Sequence, residues 1–301
     1  MSDDDGVPWR AFLAETERRL ADAGLETAAH DARRLVEEAS GHEGSDLYLG
    51  LDEPATTRGV AHLDAMVERR VAGEPLQYVL GAWSFRTLDL MVDRRVLIPR
   101  PETEVVAGHA LAELDRLAAD RRAGTGATDP LVAVDLGTGS GAIGLALAAE
   151  RPGTRVWLTD ASPDALAVAR SNLAGIGRSA THVTLAEGSW FEALPHELRG
   201  AVDVVVSNPP YVGAGEVLPL SVADWEPAGA LVSGTTGREA LDHLVRTARS
   251  WLAPGGALVV ELAPDQASAV ADDARAQGYV EVEVHPDLTG RDRLVVARVS
   301  P

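Results

Sequence analysis

The sequence predicts an α/β chain in two parts: a small all-helical domain over residues 1–75, then, through a linking β-hairpin over residues 76–100, a Rossmann-like domain over residues 101–301 with a mostly parallel sheet and helices on both faces. Three observations predict it. The first 75 residues repeat apolar side chains at helical spacing and carry no strand pattern. From residue 131 onward, short apolar runs alternate with helical stretches. A glycine-rich turn, Gly137-Thr138-Gly139-Ser140-Gly141, joins the first such run to its helix.

In the first part, Trp9, Phe12, Leu13 and Leu20 recur at spacings of three, four and seven, and Leu63, Met66, Val67 and Val71 do so again. Gly24, the stretch 41–44 and Gly73 punctuate three to five short helices. Between Pro75 and Pro101 the texture changes to a half-alternating run, Tyr78, Val79, Trp83, Phe85, Leu88, Leu90 and Val92, which suits a hairpin. A helix is expected from 102 to about 117, then a loop over residues 123–130, rich in glycine and threonine. Strands follow at 131–136, 156–159, 183–186, 202–207 and 257–262, with helices at 142–149, 164–173, 238–252 and 264–277. The last two strands, 280–284 and 294–299, are joined by too short a loop for a helical crossover and should be antiparallel.

Composition removes several chemistries. The 301 residues contain no cysteine, which excludes disulfides, iron–sulfur clusters, thiolate zinc sites and cysteine nucleophiles. All 27 basic residues are arginine, so a phosphate-loop lysine, a Schiff-base lysine and a lysine general base are excluded too. A net charge of −19 disfavours nucleic acid as a partner. The nearest basic face, Arg86, Arg94, Arg95 and Arg100, is interrupted by Asp89 and Asp93 and reads as solvated surface. No metal site is expected, since no second histidine stands three residues beyond His196-Glu197. The acidic stretch Met1 to Asp5 is neither a secretory signal nor a transit peptide, and no run approaches membrane-spanning length, so cytoplasmic residence is expected.

The glycine turn stands between a strand and its helix, where backbone N–H groups and close approach suit a ligand. Glycine also serves tight turns that bind nothing, so the motif is weak alone. Asp160 ends the next strand nineteen positions beyond Gly141, where a carboxylate can accept hydrogen bonds from both hydroxyls of a ribose. That leaves nicotinamide, flavin and adenosyl ligands open; the bland alternative is a helix cap before Pro163, a role Ser162 also fits. Trp190, after the third strand of the sheet, is placed to cover a purine face or to be plain core.

Asn208-Pro209-Pro210-Tyr211 is the strongest signal. It follows the largely apolar run 202–207, whose hydrophobicity marks a central strand opening at the carboxyl edge beside the glycine turn. The prolines stiffen the loop and leave carbonyls without regular partners, Asn208 adds an amide and Tyr211 a planar ring. Together they suit a flat group bearing an NH₂. Holding both its hydrogens on fixed acceptors would orient a poorly nucleophilic amide nitrogen toward a sulfonium methyl group. No strong base is needed before transfer, and none stands in the motif.

The chain resembles the release factor glutamine methyltransferases over nearly its whole length. The most specific stretches are Arg69-Arg70-Val71-Ala72-Gly73-Glu74-Pro75-Leu76-Gln77-Tyr78-Val79-Leu80-Gly81 and Val96-Leu97-Ile98-Pro99-Arg100-Pro101-Glu102-Thr103-Glu104. Glu226-Pro227-Ala228-Gly229-Ala230-Leu231 and Gly290-Arg291-Asp292-Arg293 also look like the family. The resemblance implies a seven-stranded methyltransferase domain, S-adenosyl-L-methionine as cofactor, and methylation of the glutamine in the Gly-Gly-Gln motif of peptide-chain release factors. It implies that Gly137, Thr138, Gly139, Ser140 and Gly141 hold the methionine part of the cofactor, Asp160 its ribose and Trp190 its adenine. Asn208, Pro209, Pro210 and Tyr211 would hold the glutamine amide, with Asn208, Pro209 and Tyr211 catalytic and Asn208 bordering the cofactor as well. Two positions depart: Ser189 stands where aspartate commonly precedes the tryptophan, and Ala263 where glycine is usual.

Other readings share parts of this pattern. An adenine methyltransferase acting on nucleic acid would also use Asn-Pro-Pro-Tyr, but it must grip phosphates, against which the charge argues. A ribosomal-protein glutamine keeps the chemistry and changes the acceptor. A non-catalytic cofactor-binding module would have no use for an amide site.

Overall fold

A computed structural model describes residues 6–125 and 129–301. The acidic stretch Met1 to Asp5, and residues 126–128 of the expected loop, lie outside the described residues. The chain divides into two compact units, Met1–Gly81 and Ala82–Pro301. No described helix is long and apolar enough to cross a membrane.

The first unit is a bundle of α1 (Trp9–Asp22), α2 (Ala28–Ser40), α3 (Ser45–Gly50), α4 (Thr57–Val71) and α5 (Leu76–Leu80). Trp9, Leu20, Leu35, Val36, Leu63, Met66 and Val67 meet in its core, while Val71, the last member of the predicted stripe, is exposed. Residues 76–80 were expected in the linking hairpin but form a helical turn. Arg69 explains this, donating twice to Glu74 at 2.8 and 2.7 Å and to the carbonyls of Tyr78 and Val79 at 2.8 and 3.0 Å. The last carbonyls of a helix have no intrahelical donor of their own. Arg70 bonds Asp31 of α2 at 2.8 Å. Much of the Arg69–Gly81 block is therefore spent on closing the α4–α5 corner.

The second unit opens with a hairpin of β1 (Ala82–Phe85) and β2 (Leu88–Met91), whose Phe85 and Leu90 enter the same core as the sheet. The predicted linker, residues 76–100, is thus shared between the two units. Helix α6 (Pro101–Thr125) runs beyond the expected end near residue 117 and takes in residues 123–125 of the expected loop. Its charged end is held by Arg116 to Glu113 and Asp120, pairs at helical spacing, and by Arg121 to Asp203.

Seven strands then form one sheet in the order β5-β4-β3-β6-β7-β9-β8. They are β3 (Val132–Leu136), β4 (Arg155–Asp160), β5 (Val183–Glu187), β6 (Val202–Ser207), β7 (Leu252–Glu261), β8 (Glu281–Pro286) and β9 (Asp292–Arg298). The first five are parallel; β9 runs antiparallel to both β7 and β8, as the short final loop required. Alternation along the strands builds two cores. Ala133, Val204, Val206 and Val259 face α6 and α7 (Ala142–Glu150), while Val134, Val205, Leu258 and Val260 face α11 (Glu239–Ala248) and α12 (Ala267–Ala276). The remaining helices are α8 (Pro163–Leu173) and the short α9 (Leu220–Ala223) and α10 (Ala228–Leu231).

Candidate active site

Strand order reverses beside β3: the chain moves from β3 outward to β4 and β5, then returns to lay β6 on the other side. Ligands of such sheets bind at the carboxyl edge of this switch point. Three sequence motifs end there, after β3, β4 and β6.

The turn after β3 has Gly137, Gly139 and Gly141 at φ 71, 55 and 87°. At Gly141 the requirement is double, since the conformation is left-handed and a Cβ would lie 2.8 Å from Leu145. Gly137 and Thr138 N–H groups donate to the Thr159 carbonyl, each at 2.9 Å, which ties the turn to β4. Beneath it, Asp135 Oδ2 accepts from Thr138 Oγ1 at 2.6 Å and from the Gly144 N–H at 2.9 Å. Asp135 Oδ1, equally buried, has no hydrogen-bond partner among the described residues. Burial pushes this carboxyl up to about 6.

Asp160, at the end of β4, accepts from the Gly139 N–H through Oδ2 and from the Ser162 N–H through Oδ1, both at 2.9 Å. Its burial raises its pKa. Ser162 caps α8, accepting from the Ala165 N–H at 3.2 Å, so Asp160 is left as a wall of the adjoining cavity. That cavity has a volume of about 460 Å³, within the range of small-molecule sites. Gly137 to Ser140, Asp135 and Asp160 line one side; Asn208 and Pro210 line another. Val96, Leu97 and Pro99 with Pro227, Gly229 and Ala230 supply an apolar remainder.

Four predicted residues are not on the cavity wall. Gly141 stands behind the turn as the cap of α7, and Pro209 is buried. Trp190 lies behind Gly137, whose Cβ position would be 3.7 Å from its ring; it packs against the α11–α12 core, with the His243 ring at 6.3 Å between centroids. Ala161, Ser162 and Ala165 line the cavity at that end instead. Tyr211 packs against the α11–α12 core and points its hydroxyl toward Glu261 Oε1 at 3.5 Å. Among the described residues, no hydrogen bond reaches the carbonyl of Pro209 or Pro210.

A family model for the PrmC N-terminal domain matches residues 11–81, and one for the methyltransferase small domain matches residues 127–223. A release factor glutamine methyltransferase of Cereibacter sphaeroides is 40% identical over 284 residues, 93% of this chain and 95% of that protein. One from Bifidobacterium longum is 39% identical over 297 residues, covering 95% and 98% of the two chains, and one from Streptomyces coelicolor 39% over 296, covering 96% and 97%. The chain belongs to the release factor glutamine methyltransferase family.

Among solved structures, the hMettl16 catalytic domain in complex with the MAT2A 3′UTR hairpin 6 superimposes with a TM-score of 0.51 at 13% identity, over 80% of this chain and 81% of that one. At that identity the likeness speaks for the fold of this methyltransferase alone.

The residues present fit the enzyme's cofactor, S-adenosylmethionine. An orphaned carboxylate oxygen on Asp135 suits an ammonium group, and Asp160 keeps lone pairs free beyond the two it uses on backbone N–H groups. The glycine turn leaves room for a backbone-close ligand.

Several cavity and supporting residues escaped the sequence reading. Glu261, buried at the end of apolar β7, accepts from Thr103 Oγ1 at 2.7 Å, and Thr103 accepts from Asn208 Nδ2 at 3.1 Å. Glu226 joins two walls, accepting from the Ile98 N–H at 3.2 Å and pairing with Arg100. Asn172 of α8 donates to the carbonyls of Met91 and Ser140 at 3.0 and 2.8 Å, stapling the hairpin to the glycine turn. A charged residue closing a strand as apolar as β7 was a usable signal; Thr103 and Glu226 stood inside the family-like stretches without a role of their own, and Asn172 offered no signal until the fold placed it.

Proposed function

We propose that the enzyme transfers the methyl group of S-adenosylmethionine to the side-chain amide nitrogen of the glutamine in a Gly-Gly-Gln loop of a peptide-chain release factor. One observation carries the reading: the Asn-Pro-Pro loop after β6 and the acidic, glycine-lined turn after β3 open into one cavity, so an amide held by the first faces a ligand held by the second.

The cofactor supplies an electrophilic methyl group on a positively charged sulfur. Asp135 and Asp160 would hold its ammonium and ribose, and Gly137 to Ser140 would lie against it by their backbone. Asn208 and the Pro210 carbonyl accept the two hydrogens of the acceptor amide. That grip turns the nitrogen lone pair out of conjugation and toward the methyl carbon, so that proximity and orientation lower the barrier. Transfer would form the nitrogen–carbon bond at the expense of the cofactor's carbon–sulfur bond, and the alkylated nitrogen would give up its extra proton to solvent. The apolar wall of Val96, Leu97 and Pro99 suits the methylene stem of glutamine and keeps water from the reacting atoms.

One amide offers little area for affinity, so selection among the many glutamines of a cell needs a second contact surface. The helical unit, with Tyr48 and Leu49 exposed on α3, is that surface in this reading. The net charge of −19 favours a protein partner over nucleic acid, and the reaction belongs in the cytoplasm with its substrate. Labelled cofactor offered to intact release factor, its loop peptide, ribosomal proteins, DNA and RNA tests this. One methyl group on the Gly-Gly-Gln glutamine of the intact factor, read by mass spectrometry, is expected; preferential label on another acceptor, or equal rates for peptide and intact factor, would sink it.

A further inference from the structure

Asn208, Thr103 and Glu261 form a chain of three hydrogen-bonding side chains drawn from the β6 exit loop, the first turn of α6 and the end of β7. The polarity of such a chain is not free. A carboxylate can only accept, so Thr103 must give its single hydroxyl hydrogen to Glu261 at 2.7 Å. The hydroxyl oxygen then has only lone pairs left to offer, so the group 3.1 Å away on Asn208 must be the donor, Nδ2. The arm of the amide that remains for the cavity is Oδ1, an acceptor. An asparagine turned the other way would present an NH₂ to the NH₂ of the acceptor and repel it.

We propose that Glu261, acting through Thr103, is a positioning residue that sets which way round the Asn208 amide stands, so that Oδ1 faces the acceptor nitrogen. The inference rests on the reading of Asn208 as the holder of the acceptor amide. Glu261 does not line the cavity. Its other surroundings leave this task unchanged: the Tyr211 hydroxyl lies 3.5 Å from Oε1, Arg293 of β9 faces it as a counter-charge, and Glu102 of α6 opposes its ionisation. Arg100 also acts on Tyr211, and Asp287 lies 3.6 Å from the Arg293 guanidinium.

The arrangement has a pH dependence of defined sign. Burial pushes the Glu261 carboxyl up to about 7. Once protonated it can donate to Thr103, whose hydroxyl hydrogen is then free to turn to Asn208, and the amide loses its enforced orientation. Turnover at saturating cofactor and acceptor should therefore rise with pH through about 7.

The test measures kcat, KM and pH profiles for wild type, Thr103→Val, Thr103→Ser, Glu261→Gln and Asn208→Ala, with cofactor affinity by calorimetry. Thr103→Val should lose about 10–100-fold in kcat, the scale of a misoriented reacting group, with cofactor Kd within about threefold of wild type. Thr103→Ser should restore turnover. Thr103→Val and Glu261→Gln should both lose the step near neutrality, and the near-isosteric Glu261→Gln keeps the test valid if the valine variant does not fold. If Glu261→Gln keeps wild-type kcat and an unchanged pH step while Asn208→Ala loses turnover, the orienting chain is wrong and the amide clamp stands. If Asn208→Ala itself keeps wild-type kcat, the clamp falls and takes this inference with it.

Discussion

The carboxylate of Asp160, at the end of β4, holds the N–H of Gly139 in the turn after β3 at 2.9 Å. One oxygen pair therefore both fixes the glycine turn and walls the cavity that the turn borders. Asp160→Ala should weaken S-adenosylmethionine binding by about 1.5–3 kcal/mol, the loss expected when hydroxyl groups forfeit a charged acceptor. Isothermal calorimetry measures it. Unchanged affinity would reduce Asp160 to a brace for the turn.

Asp135 makes a different prediction, because its unpartnered oxygen can hold an ammonium group only when ionised. With its carboxyl pushed up to about 6, cofactor affinity should rise with pH and level off above neutrality, and be about tenfold weaker at one pH unit below that midpoint. The sign for stability is opposite. A buried carboxyl whose folded pKa is raised stabilises the apo-protein fully below the ordinary aspartate range, and loses that contribution as pH rises through about 6. Asp135→Asn should flatten the affinity profile; a profile that keeps its slope in this variant would assign the titration elsewhere.

Asn208→Ala should fold and bind cofactor but lose about 10²–10³-fold in turnover, the scale of removing one preorganised polar contact from a transition state. Single-turnover kinetics at saturating acceptor separates this from weaker binding. A loss confined to KM would make Asn208 a grip on the ground state alone.

Glu226 links the wall containing Val96, Leu97 and Pro99 to the wall containing Pro227, Gly229 and Ala230. Glu226→Ala strands the Ile98 N–H and removes the partner of Arg100. It should lower stability by about 1–3 kcal/mol and raise the KM for the acceptor more than the Kd for cofactor, because the glycine turn lies outside its reach. Denaturant titration and initial rates check the two halves. An equal loss of both affinities would show that Glu226 supports the cavity as a whole.

The amino-acid sequence by itself determined what depends on neighbours along the chain. The run 202–207, apolar but for Asp203 and the closing Ser207, read as a central strand, and a short final connection could only join antiparallel strands; both hold in β6 and in the β8–β9 pair. That the glycine turn, Asp160 and Asn208 gather at one edge was legible because each sits at the end of a strand or directly after it, and strand ends of a parallel sheet share an edge.

Tertiary structure decided what depends on residues far apart in sequence. Arg69 turned residues 76–80 into a helix by supplying donors to two carbonyls, against a half-alternating pattern that suggested a strand. Paired arginines carried α6 on to Thr125 through a stretch that composition suggested was loop. Tyr211 was read as a face for a ligand and Trp190 as either such a face or core; a ring between a cavity and a core goes where its area is best buried, and both pack against the α11–α12 core. Asn208, Thr103 and Glu261 meet across 105 and 158 positions of sequence. No local pattern encodes such a meeting, because a hydrogen bond is decided by where folded backbones bring two side chains, and that placement is a property of the whole sheet and the helix packed on it.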